Sequence, residues 1–254
     1  MVELQAYDTN GNMASATVTF ITDTKAPEIS VLCPEQQAIL NTMDVQISLE
    51  YSDNIGIDHL EVSVDLGPWI NIGTMTEYTV HHDLPGGHIV MVRAYDIANN
   101  VAWGIVNYTV DIVAPELEIL GPENNAILST GDIVVVWNAS DDTGITKFVI
   151  TLDDMEGIEL SQYANNYTLE SVSEGEHKIS VMAYDLAGNR VSATINIIVD
   201  LSPPYIRIIY PEDHAVIEGQ ELIVLWEGYD NVSGIHNYTL YLDDVTIYTG
   251  TDNI

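Results

Sequence analysis

Positive charge is what this chain has least of: 6 Lys and Arg stand against 39 Asp and Glu in 254 residues, a formal net charge of −33. Such a surface repels phosphate backbones and anionic bilayers alike, which excludes nucleic-acid binding and docking on an acidic membrane face. It draws divalent cations, basic partners or high-salt surroundings instead. Cysteine is nearly absent. The single Cys33 excludes an intrachain disulfide framework and a Cys-rich zinc site, and the expectation for it is an inert, buried or half-buried thiol. No run of eighteen apolar residues occurs, so no segment reads as a membrane-spanning helix. The opening MVELQAYDTNGN lacks the basic start and apolar stretch of a secretory leader. Helical periodicity is missing too, since no segment places its apolar residues on a 3.6-residue stripe. Yet 46% of the residues are apolar, enough to build cores rather than a disordered acidic tail.

What the sequence does have is a period. AYDTNGN at Ala6 returns as AYDIANN at Ala94 and AYDLAGN at Ala183. Asp8, Asp96 and Asp185 are separated by 88 and 89 residues (96−8 and 185−96). The same two steps relate Asp23, Asp111 and Asp200, then Pro34, Pro122 and Pro211, then Asp53, Asp141 and Asp230. Landmarks at one spacing define a tandem array of one module. Cut at the proline-bearing linkers, it comprises residues 1–23, the C-terminal strands of a truncated module, then modules 24–112 and 113–200, then 201–254, the N-terminal part of another. The expectation is a segment of a longer array; exchange of the incomplete ends between chains is the alternative.

Within 113–200, LEIL, IVVVW, FVITL, IEL, NYTL, HKISVMAY and VSATINIIV give seven strands, with Val191, Ala193, Ile195, Ile197 and Val199 alternating with polar partners in the last. Short strands separated by turn signals every 8–12 residues predict an all-β chain of seven-stranded β-sandwiches. AYDxxxN is then a hairpin turn. Gly11, Asn99 and Gly188 fall where positive φ is needed, and the preceding Asp is placed to accept the turn's own N–H groups.

The run EYTVHHDLPGGHIVMVRAYDIANN resembles the last three strands of fibronectin type III and bacterial Ig-like modules. Trp137 and Trp226 fall in the second strand, where fibronectin type III modules carry a core Trp; Leu49 replaces it in module 24–112. AYDxAGN followed by a VDxxAP linker is similar to repeats of surface adhesins and stalk proteins. The resemblance implies an extracellular or cell-surface structural and adhesion array, acting as a stalk or spacer, with neighbouring repeats and other surface proteins or glycans as partners. The alternative is a set of accessory modules of a secreted protease or glycosidase whose catalytic domain lies outside this chain.

In an Ig-like topology the second-to-third and sixth-to-seventh strand loops share the end where the linker enters. This gathers Asp23, Asp53, Asp96 and Asn100 in one module, and Asp111, Asp141, Asp142, Asp185 and Asn189 in the next, with Asp200 and Asp230 remaining in the last. Converging carboxylate and amide oxygens suit Ca²⁺, which takes six to eight oxygen ligands. The resemblance implies the same ion at module joints. The competing reading is that each Asp caps a turn. Asp65, Asp153, Asp154, Asp243 and Asp244 read as solvated turns at the other end, His88 and His177 as structural, and His81 and His82 as surface residues. No nucleophile elbow, zincin helix or phosphate loop is present, and the chain reads as non-enzymatic. Five N-x-[ST] sequons, at Asn107, Asn138, Asn166, Asn231 and Asn237, offer glycosylation sites if the array is secreted.

Overall fold

The structure, a computed structural model, describes residues 1–153, 155–219 and 221–251. Among them every regular element is a β-strand. The chain divides into two compact units, residues 1–113 with 186–189, and residues 114–185 with 190–254.

The first unit opens with a hairpin of β1 (Val2–Tyr7) and β2 (Met13–Val18), exposed on both faces. Eight strands follow: β3 (Glu28–Cys33), β4 (Ala38–Leu40), β5 (Asp44–Ser52), β6 (Ile57–Val64), β7 (Ile70–Gly73), β8 (Glu77–His81), β9 (Gly86–Asp96) and β10 (Val101–Val110). They form a three-stranded sheet, β3-β5-β8, and a five-stranded sheet, β4-β10-β9-β6-β7. Alternation explains the layers. Val45, Ile47 and Leu49 of β5 turn inward from one sheet, while Leu60, Val62, Val90, Val92, Val106 and Val110 turn inward from the other. Side chains two apart share a face, so each strand contributes every second residue to the core.

The second unit repeats the plan with β11 (Glu116–Gly121), β12 (Ala126–Leu128), β13 (Ile133–Ser140), β14 (Ile145–Leu152), β15 (Ile158–Ser161), β16 (Asn166–Leu169), β17 (Gly175–Asp185) and β18 (Arg190–Val199). The sheets are β11-β13-β16 and β12-β18-β17-β14-β15. Trp137 is buried against Phe148, their ring centroids 5.6 Å apart, and Leu49 holds the matching core place in the first unit. Two further ribbons, β19 (Tyr205–Tyr210) with β20 (Leu225–Tyr229) and β21 (Tyr238–Leu242) with β22 (Val245–Gly250), complete the unit.

Each sandwich therefore carries the seven expected strands and an eighth. The addition is the three-residue AIL of β4 and β12, which pairs parallel to the last strand, Tyr108 opposite Ala38 and Ile197 opposite Ala126. Three residues are too few for a period of two to register in the sequence. Cys33, expected to be at least half-buried, is exposed at the end of β3, which lies at the edge of its sheet beside β5.

Candidate metal centre

The hairpin turns between β1 and β2 and between β9 and β10 show what AYDxxxN does locally. Gly11 has φ 87° and Asn99 has φ 65°, the left-handed conformations that these turns require. In the β9–β10 turn Asp96 Oδ1 accepts the Asn100 backbone N–H at 2.8 Å, and Asp96 Oδ2 accepts Asn100 Nδ2 at 2.8 Å. Asp8 and Asn12 repeat both contacts in the first hairpin.

In the first unit this turn does more than close a hairpin. It brings Asp96, 1% exposed at the end of β9, beside Asp53 from the loop after β5 and Asp23 from the linker. One carboxylate oxygen of each lies within 4.8 Å of the others. The oxygens have divided roles. Asp53 Oδ1 accepts the N–H groups of Ile55 at 2.8 Å and Gly56 at 2.9 Å, and these bonds, Gly56 first, hold its carboxyl below the usual carboxylate range. Asp23 Oδ1 accepts Lys25 N–H at 3.1 Å. Their other oxygens, Asp23 Oδ2 and Asp53 Oδ2, are buried without any hydrogen-bond partner. Buried polar atoms are nearly always paired, because leaving them unpaired forfeits their hydration. Two such oxygens beside a third carboxylate make a concentration of negative charge that a cation relieves. The donor set is all oxygen, with neither imidazole nor thiolate, which fits a hard ion such as Ca²⁺ and not zinc.

Asn100, expected to offer an oxygen, uses its Nδ2 as a tether. It donates to Asp96 and, at 3.4 Å, to the linker carbonyls of Asp23 and Lys25. Asn189 donates in the same way to the carbonyls of Asp111 at 2.9 Å and Val113 at 3.2 Å. Asp111 is buried, and its Oδ1 accepts Val113 N–H. In the second unit Asp141 and the buried Asp185 bring carboxylate oxygens within 4.8 Å of each other. Asp141 Oδ1 also caps its turn through Thr143 and Gly144 N–H. Asp142 is exposed. Asp200 is buried and caps Ser202, while Asp230 Oδ1 accepts the N–H groups of Val232, Ser233 and Gly234. All five sequon asparagines are exposed.

Two expectations about histidines and acids need correction. His82 is not a surface residue. It is 4% exposed, its ring stacks on His88 at 3.6 Å between centroids, and its Nε2 lies 2.8 Å from the Tyr108 hydroxyl. Burial, then the neighbouring His88, pushes its pKa down. Burial, with the charge of Asp65, also pushes the Tyr108 phenol up to about 12. His81 is exposed as expected, and its bond to Asp44 raises its pKa. Asp65 and Asp153 are not merely solvated turn residues either. Asp65 Oδ2 lies 2.8 Å from His88 Nδ1 and its Oδ1 accepts Ile89 N–H; Asp153 does the same with His177 and Lys178. Asp154 lies outside the described residues. What the sequence reading missed is His82 beside His88, because their meeting depends on packing rather than on the repeat.

The family model of a bacterial Ig domain matches residues 115–181. No curated protein matches the chain. Among solved structures it is similar to the fibronectin(III)-like modules of Clostridium thermocellum CbhA, at 18% identity and a TM-score of 0.49 over 68% of this chain and 94% of that one. It is also similar to the tetra-tandem repeat in the extending region of a large adhesion protein, at 16% identity and a TM-score of 0.35 over 93% of this chain and 64% of that one. A third similar structure holds the FN1–FN3 domains of chicken CNTN1, at 15% identity and a TM-score of 0.41 over 76% of this chain and 73% of that one. The repeated sheet order and the 88- and 89-residue steps make the chain a tandem array of β-sandwich repeats, and the match to the bacterial Ig domain lies within one of them.

Proposed function

We propose that this array is an extracellular structural stalk or spacer in which Ca²⁺ at Asp23, Asp53 and Asp96 locks the linker to the module it enters. The observation that carries the reading is the pair of buried, unpartnered oxygens, Asp23 Oδ2 and Asp53 Oδ2, in a cluster where Asp23, Asp53 and Asp96 each bring one carboxylate oxygen within 4.8 Å of the others. One of these acids belongs to the linker, one to the loop after β5 and one to the end of β9, so an ion held by all three ties the linker to the sandwich. Asn100 supplies the neutral half of the same tie through the linker carbonyls. By the repeat step the reading extends to Asp141 and Asp185. The modules are bounded at 24–112 and 113–200, with partial modules at 1–23 and 201–254. Exposed sequon asparagines suit a secreted setting, and among the described residues no helix is long and apolar enough to cross a membrane. The role is mechanical and non-catalytic, with neighbouring repeats, surface proteins or glycans as partners.

Thermal unfolding with Ca²⁺ and with chelator tests the reading. An ion that binds only the folded form stabilises it by about 2.7 kcal/mol when its free concentration is 100 times the dissociation constant. An unfolding midpoint that does not move at millimolar Ca²⁺ removes the metal and leaves the aspartates as turn caps.

A further inference from the structure

We infer that Asp65, His82 and His88 form a second metal site in the first unit, one for a zinc-like transition ion and distinct in chemistry from the all-oxygen cluster. One ligand atom of each lies within 4.8 Å of the others. His88 Nδ1 is 2.8 Å from Asp65 Oδ2, and His82 Nδ1 is 3.8 Å from the same oxygen. The far nitrogens are held from behind: His88 Nε2 by the Leu84 carbonyl at 3.1 Å, His82 Nε2 by the Tyr108 hydroxyl at 2.8 Å. Anchoring the outer nitrogen by a carbonyl or hydroxyl is how metal-binding imidazoles are oriented. With its Nε2–H donated to Leu84, a neutral His88 aims a lone pair at a carboxylate. Only a proton or a cation between them makes that contact attractive. A proton there serves His88 alone, because 3.8 Å is too long for a hydrogen bond from His82. A metal ion serves all three.

The second unit shows that the fold does not need this arrangement. It keeps the Asp153–His177 pair, with His177 Nε2 bonded to the Ser173 carbonyl at 2.8 Å, but has no counterpart of His82 or Tyr108. Val172 makes the backbone bond to Gly131 that His82 makes to Met43, and Ile197 stands where Tyr108 does, each opposite the matching alanine of the short strand. Both are buried and apolar. The first unit thus places two polar groups, bonded to each other, where the repeat tolerates hydrocarbon, and this pairing leaves His82 Nδ1 turned toward Asp65 at 3.8 Å.

Two imidazoles and a carboxylate select zinc or its neighbours over Ca²⁺. Tetrahedral bonds of about 2.0–2.1 Å set ligand atoms about 3.3 Å apart, a separation that the 2.8 and 3.8 Å distances straddle. The rings lie 26° from parallel, so loading turns them out of their stack until both lone pairs meet the ion. Asp65, with its side chain 45% exposed, leaves the remaining coordination position open to water.

The test is calorimetric titration of the full chain with Zn²⁺ in Ca²⁺-containing buffer, paired with visible absorption of the Co²⁺ form. One equivalent with four-coordinate Co²⁺ bands is expected, retained in Asp53→Asn and His177→Gln. His82→Val, which copies the second unit, should weaken this binding by more than about 100-fold, since even outer-sphere partners contribute 10- to 100-fold. Asp65→Asn keeps an acceptor for Ile89 N–H and should lose the site while remaining folded, so failure of one variant to fold does not decide the result. The inference is overturned if wild type binds no Zn²⁺, if binding survives His82→Val and Asp65→Asn, or if Co²⁺ gives only the weak bands of a six-coordinate oxygen site.

Discussion

The two oxygens of Asp53 have separate tasks. Oδ1 shapes its loop through Ile55 and Gly56, while buried Oδ2 has no partner. Asp53→Asn keeps the first and removes the charge from the second. In chelator the variant should unfold at the same temperature as wild type or higher, because one of three clustered negative charges is gone; in Ca²⁺ it should unfold lower. A turn-only role predicts the same order in both buffers. The Asp153–His177 pair gives a second prediction. Burial opposes charge on both groups, but the Lys178 N–H and His177 lower Asp153 below 3.8, and Asp153 with the Ser173 carbonyl raises His177 above 6.5. The carboxylate's contribution is present above its unfolded value near 3.8 and is lost as pH falls through the lowered one. The imidazolium's is complete below 6.5 and is lost as pH rises through the raised one. Stabilisation by the pair is therefore greatest between about pH 4 and 6.5, and His177→Gln should lower the second unit's unfolding midpoint most in that window and remove the decline that the pair causes on either side of it. At this scale the turns were legible, since an Asp, its Gly or Asn at positive φ and its closing Asn lie within five residues. His82 was not, because the groups that bury it, Asp65, His88 and Tyr108, come from three other parts of the chain.

Strands are legible for a related reason. A period of two over eight to ten residues states both the element and its buried face, as β10 and β18 show by burying Val106, Tyr108 and Val110 and then Ile195, Ile197 and Val199. The three-residue β4 and β12 escape notice because their pairing is parallel to a strand some seventy residues later. The same alternation orders the cost of substitutions. Ile47, wholly buried on β5, packs against the facing sheet, and Ile47→Ala should cost about 2–5 kcal/mol in chemical denaturation of the first unit. Ile105→Ala on β10, 56% exposed, should stay within about 0.5 kcal/mol of wild type. Equal effects would mean that the sheet faces are assigned the wrong way round.

Across the whole chain a charge of −33 works against compactness, and six cations cannot offset it. Monovalent salt should therefore raise unfolding midpoints gradually, by screening over a Debye length of about 10 Å at 0.1 M. That gain should be equal in wild type and Asp53→Asn, which separates general screening from a bound ion. The repeat period made the array and the shared end of its acidic loops visible in the sequence; the unpartnered oxygens became visible only when folding buried them. Calorimetric titration of Ca²⁺ into the full chain at fixed 0.15 M monovalent salt, wild type against Asp53→Asn, tests the metal most directly. Saturable binding in wild type that loses one equivalent in the variant is the predicted result. Identical isotherms, or no heat beyond dilution in either protein, would contradict it.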